Sequence, residues 1–130
     1  MSFYSYLARL EDTLRSRRDI TVEALRLTLT TLGAVFEANL RFHDGSWLHA
    51  VEEIEIAERQ GIRRINYSFH YQRADGTLIF RYDNSPHYPN LPTFPDHKHE
   101  GDAVREAKAL DLADVLREID ALIYPDAAKK

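Results

Sequence analysis

The chain has 130 residues, 44% hydrophobic and 29% charged, with a net charge of −4: one soluble domain with apolar content for a core, and no wholesale attraction to nucleic acid. It has no cysteine, which excludes disulfide scaffolds, thiolate metal sites and cysteine nucleophiles. No apolar run nears the ~20 residues of a membrane span, and the start, MSFYSYLARLED, lacks the basic and apolar regions of a signal peptide, so a cytoplasmic protein without membrane contact is expected.

Residues 2–18 carry Phe3, Tyr6, Leu7, Leu10 and Leu14 at spacings of three and four, which predicts a helix with one apolar face. Arg15, Arg17 and Arg18 crowd its last turn, where cations suit the helix dipole, and read as a solvated end. The period then drops to two. Leu25, Leu27 and Leu29 alternate with Arg26, Thr28 and Thr30, predicting a half-buried strand. Ala34, Phe36, Ala38, Leu40 and Phe42 predict a second, longer one. His43-Asp44-Gly45-Ser46 has turn chemistry. Trp47 to Ile56 admits helix or strand; the alternation of Glu53 and Glu55 with Ile54 and Ile56 favours a strand. Trp47 reads as core, His43 and His49 as solvated or capping residues. Glu52, Glu53 and Glu55 read as a solvated face, with a bridge to Arg64 or Arg81 open.

Ile62 to Gln72 is the clearest strand. Ile65, Tyr67, Phe69 and Tyr71 lie on one face, and Arg64, Asn66, Ser68, His70 and Gln72 on the other. Ala74-Asp75-Gly76-Thr77 is a hairpin signal, and Thr77 to Asp83 returns with Leu78, Phe80 and Tyr82 facing the core. A two-residue turn there sets His70 opposite Arg81, Ser68 opposite Asp83, Tyr71 opposite Phe80 and Phe69 opposite Tyr82. A slip by one residue would bury Arg81 and Asp83, which a core rejects. Residues 103–124 predict one last helix or a pair, with a stripe of Leu112, Val115, Leu116, Ile119, Leu122 and Ile123. Asp111 and Asp114 resemble its N-cap and first-turn acid, and Pro125 ends it. The expected architecture is a single α+β domain, 1–130, with about five mostly antiparallel strands flanked by an N-terminal and a C-terminal helix.

The stretch Arg81 to His99, RYDNSPHYPNLPTFPDHKH, stands apart. It holds four of the five prolines and three of the six histidines. Prolines stiffen a loop that builds little core, the usual setting for positioned functional side chains. Residues 62–99 hold 5 Arg/Lys against 3 Asp/Glu, plus four histidines, a small basic island in an acidic chain. His70, Arg81 and Asp83 share the polar hairpin face, and Asn84, His87, His97, Lys98 and His99 follow. Three meanings stay open: acid–base chemistry on a phosphodiester, with histidines moving protons and cations holding charge; a metal site built on His97-x-His99 with His70, His87 or Asp83; or a polar sheet face under a hydrogen-bonded loop. Arg81 disfavours a dication nearby, so no stoichiometric metal and no cofactor are expected.

The run from Tyr67 to Gly101 resembles the TumE family, toxin components of toxin–antitoxin pairs. The matching pieces are Tyr67 with His70 and Tyr71, then Phe80-Arg81-Tyr82-Asp83-Asn84, Pro86-His87, Phe94-Pro95 and His97-Lys98-His99. Weaker similarity runs back through Leu40-Arg41-Phe42 and Asp44-Gly45-Ser46 to Glu52. Tyr88 departs from the pattern, which often has a histidine after the Pro-His pair. The resemblance implies a small cytoplasmic toxin encoded beside its antitoxin partner, without implying an activity. Joined to the residues, it leads to the expectation of a metal-independent ribonuclease or RNA-binding inhibitor of translation. His70, Arg81, Asp83, His87, His97 and His99 are its catalytic candidates, with His70 or His97 as general base. Asn84, Lys98 and Tyr82 are the substrate-binding candidates. The alternative is a non-enzymatic interaction module that docks a partner through residues 82–99, with Tyr82, Tyr88 and Phe94 as anchors.

Overall fold

The computed structural model describes residues 2–57 and 61–125. Chain order gives α1 (Phe3–Arg15), β1 (Ile20–Leu29), β2 (Gly33–Phe42), β3 (Trp47–Ala57), β4 (Gly61–Gln72), β5 (Leu78–Asp83), β6 (His97–Glu100), β7 (Ala103–Glu106) and α2 (Leu112–Ile123). The seven strands form one sheet in sequence order, each antiparallel to the next. The α+β class stands, with seven strands rather than five. The two additional strands are short and polar: β6 reads as loop because HKHE has no apolar alternation, and β7 lies where a helix was open.

Ser2 caps α1 by accepting from Ser5 N–H, and Tyr6, Leu10 and Leu14 face inward. Asp111 and Asp114 cap α2 reciprocally, each side chain accepting the other's backbone N–H, so the helix starts at Leu112 as the acids predict. Both helices join one apolar cluster with Phe36, Ala38, Leu40, Leu48, Ala50, Phe69, Tyr71 and Phe80. One sheet face is therefore core and the other is open. Gly33 holds β2 tight against β3: a Cβ there would lie 1.9 Å from the Ile54 carbonyl oxygen. Among the described residues no helix is long and apolar enough to cross a membrane.

Five expectations need correction. Leu25, Leu27 and Leu29 do point to the helix side, opposite Ala38, Phe36 and Ala34, yet they are exposed, Leu29 by 71%. The helix layer stops short of this edge strand and leaves a groove of about 590 Å³ between β1 and Leu7, Leu10 and Leu14 of α1. Ile65 is bulged out of the β3–β4 ladder, because Glu53 pairs with Asn66 and Ile54 with Arg64. The bulge exposes Ile65 and sends Arg64 to the helix side, where it meets Glu52 at 3.2 Å and the Leu110 carbonyl at 2.7 Å. Glu52 is thus buried, not solvated, and burial, offset in part by Arg64, raises its pKa. Arg17 is no solvated end: it bridges Asp19 and Asp120, tying α1 to α2. Trp47 lies half-buried on the open face, because the alternation that buries Leu48 and Ala50 turns it outward.

Candidate functional site

From Ser68 to Tyr71 the β4–β5 hairpin has the expected register, although its turn closes between Arg73 and Thr77 rather than Ala74 and Thr77, and a shift between Tyr71 and Gln72 sets Gln72 opposite Leu78. Ser68 pairs with Asp83, Phe69 with Tyr82, His70 with Arg81 and Tyr71 with Phe80. The chain then loops over the sheet edge and returns as β6, which sets Asp83 beside His97 and Arg81 beside His99. Two rows of side chains result on the open face. His49, His70, Arg81 and His99 follow one another across β3 to β6, and Ser68, Asp83 and His97 form the row beside them.

Asp83 is the hub. Its Oδ1 accepts from Ser85 N–H at 3.0 Å and lies 3.0 Å from His97 Nε2. Its Oδ2 accepts from Arg81 Nε at 3.1 Å and lies 3.6 Å from His99 Nε2. Burial alone would raise its pKa; the Ser85 N–H, the His97 charge and Arg81 outweigh burial and hold the carboxyl below the usual range. His97 is 1% exposed, and its Nδ1 donates to the Pro95 carbonyl at 2.9 Å. Both of its ring nitrogens face oxygen acceptors, so its ring is fixed in place and buried. His99 is a quarter exposed. Burial lowers its pKa, Asp83 raises it, and His97 and Arg81 lower it, for a net fall. Tyr88 covers both rings edge-on, 4.9 Å from His97 and 5.8 Å from His99 between centroids.

On the far side of Arg81, His70 Nδ1 lies 3.4 Å from Arg81 Nη1. A guanidinium only donates, so Nδ1 accepts and the proton sits on Nε2, which donates to Gln72 Oε1 at 3.0 Å. Arg81 therefore stands between two partly exposed histidines, one strand away on each side. Its own side chain is 38% exposed.

Four expected site residues lie elsewhere. Lys98 and Tyr82 face the helices, as alternation along β6 and β5 requires once the His-x-His run is a strand. Lys98 bridges Glu118 at 2.8 Å, and Tyr82 donates to the same carboxylate. Burial and then Glu118 push the Tyr82 hydroxyl up to about 12. Tyr82 is 7% exposed and is no docking anchor, whereas Tyr88 and Phe94 are exposed. Asn84 works on the backbone: it accepts from Tyr67 N–H at 3.0 Å and donates to the Ile65 carbonyl at 3.0 Å, extending the ladder past the end of β5. His87 is exposed on the loop, outside the two rows.

Trp47, read from the sequence as core, and His49, read as solvated or capping, also belong to the open face beside His70. His49 bonds Glu37 at 2.8 Å and lies parallel to Trp47 with centroids 5.7 Å apart; Trp47 also meets the edge of His70. The alternation of Trp47, His49 and Val51 against Leu48 and Ala50 was the available signal. A divalent cation also has a candidate set among the described residues: ligand atoms of Asp83, His97 and His99 all lie within 4.8 Å of one another. Two histidines and a carboxylate suit a transition metal. Arg81, already bonded to one Asp83 oxygen, competes for it.

No curated protein and no solved structure matches the chain. The family model described as "Toxin TumE" matches residues 8–123. That match runs well beyond the Leu40–Gly101 motifs into both helices, and membership implies an antitoxin partner in general; the chain belongs to the TumE toxin family.

Proposed function

We propose that this toxin is a metal-independent ribonuclease acting through His70, Arg81 and His99, with Asp83 and His97 as their support. The observation that carries the reading is the row itself: two partly exposed histidines flank a guanidinium on the open sheet face. Adjacent strands stand about 4.8 Å apart, so a phosphodiester on Arg81 has a histidine on each side. His99, kept neutral by burial and by the neighbouring positive charges, takes the proton of the 2′-hydroxyl. The 2′-oxygen attacks phosphorus. His70 takes a second proton from solvent on the Nδ1 that Arg81 frees when it turns to the phosphate, gives its Nε2 proton to the leaving 5′-oxygen and is left neutral, while Arg81 holds the charge that builds on the phosphoryl oxygens. The products are a 2′,3′-cyclic phosphate and a 5′-hydroxyl. His97, expected among the acid–base candidates, is too buried to reach substrate and orients Asp83 instead. The cell's RNA is the substrate, the cytoplasm the setting, and the antitoxin encoded nearby the control.

Expression from a tightly repressed promoter should arrest growth, and His99→Ala should relieve the arrest without lowering the protein level. Cells indifferent to the wild-type chain would count against toxicity through this site. One observation favours a second reading, metal-assisted hydrolysis: the Asp83, His97 and His99 donor set. It differs in requiring a cation and in cutting without a cyclic product.

A further inference from the structure

We infer that Trp47 and His49 form a base-stacking subsite beside the catalytic row, so that the substrate is an unpaired RNA strand. The inference rests on the ribonuclease reading and adds the substrate class to it. Trp47 is the chain's one tryptophan and lies on the open face, not in the core. Its indole and the His49 imidazole are parallel within 8°, and the edge of His70 closes a second side. Glu37 anchors His49, so the pair is preorganised. Aromatic rings presented on an open sheet face bind bases through their π-faces, which only unpaired bases expose.

The position fits the chemistry. Trp47 sits two strands from Arg81 and one pleat along, roughly 12 Å by sheet geometry, a distance that one or two nucleotides span. The ground between them is His70 and Gln72, with Arg41 on the other flank opposite Trp47. The carboxylates at its edges are engaged: Glu37 by His49, Glu23 by Arg41 and Asp83 by Arg81. The amide nitrogen of Gln72 remains a donor for a base edge once its oxygen has accepted from His70. A duplex would present this flat surface only with phosphates, and Trp47 would have nothing to stack on.

The single tryptophan makes the test direct. Wild-type protein is titrated with an unpaired octaribonucleotide carrying 2′-O-methyl groups, which the 2′-oxygen mechanism cannot cut, and with the same sequence as a blunt duplex. Tryptophan emission should be quenched by the single strand and not by the duplex. In anisotropy with a labelled strand, Trp47→Leu should bind about 5- to 150-fold more weakly, the range for one lost stack, and Trp47→Phe should recover most of that loss. In cleavage, Trp47→Leu should raise KM and leave kcat within a few-fold. Equal quenching by duplex and single strand, or no quenching at all, overturns the inference even if Trp47→Leu fails to fold. Cleavage without quenching would discard the subsite and keep the ribonuclease. Quenching by the single strand without any cleavage of unmodified RNA would do the reverse.

Discussion

Replacing Asp83 by asparagine removes the charge on which the site converges and keeps the shape. The amide oxygen can still accept from Ser85 N–H, so that bond survives. The contact to buried His97, made by the same oxygen, loses its charge, and hydrogen bonds to charged groups are worth about 1.5–3 kcal/mol. The contact to Arg81 adds little, about 0–1 kcal/mol, because the guanidinium is 38% exposed and water replaces the carboxylate. The expected cost at pH 7 is therefore about 1.5–4 kcal/mol, or a Tm loss of about 5–15 °C for a domain of this size. The sign of its pH dependence follows from linkage. The folded-state pKa of Asp83 lies below the unfolded value, so on acidification the unfolded chain takes up the proton first. The stabilisation is whole above about pH 4, the unfolded carboxyl range, and drains away as pH falls through the folded-state pKa. Urea unfolding followed by far-UV circular dichroism at pH 7 and at pH 3 measures both effects. The gap between wild type and Asp83→Asn should narrow at pH 3. A gap below about 0.5 kcal/mol at pH 7, within the range of an ordinary surface change, would refute Asp83 as the hub, as would a gap that widens in acid.

Two further outcomes follow from the same geometry. If His99 is the base, cleavage must fail when it protonates, and its pKa lies below the ordinary 6.5; the acid limb of the pH–rate profile should sit below 6.5 and vanish in His99→Gln, and a limb at pH 7 or above would contradict the assignment. Lys98→Met should lower stability, since its Glu118 bridge is partly buried, yet leave kcat and KM unchanged, because the side chain lies on the helix side of the sheet; a tenfold loss of activity in the folded variant would return Lys98 to the site.

Much of this geometry was legible in the residues. The cost of burying Arg81 and Asp83 pins the register from Ser68–Asp83 to Tyr71–Phe80, and β4 and β5 obey it there, while the turn end departs from a two-residue loop through a shift between Tyr71 and Gln72. The capping acids of α2 were equally plain. What escaped notice was what depends on distant chain. His97-Lys98-His99-Glu100 becomes a strand only because β5 offers it a free edge, and that pairing, not any property of the tetrapeptide, sends Lys98 one way and the histidines the other. The bulge at Ile65 is likewise a two-strand property, and it reverses the sides expected for Ile65 and Arg64. Leu25, Leu27 and Leu29 carry the alternation of a half-buried strand, but a pattern states which face is apolar and not whether a helix reaches it. His49 and Trp47 were misread for a simpler reason: each was weighed alone, and only the register of β3 against β4 brings them to His70.

The most direct test of the central claim is the fate of a defined RNA strand incubated with the purified protein, freed of its antitoxin, in the presence of excess EDTA. The metal-independent site predicts strand cleavage with 2′,3′-cyclic phosphate and 5′-hydroxyl ends, retained in EDTA and lost in both His70→Ala and His99→Ala. Intact RNA with wild-type protein that arrests growth in cells would contradict ribonuclease action, and cleavage abolished by EDTA and restored by a divalent cation would move the chemistry to a metal held by Asp83, His97 and His99.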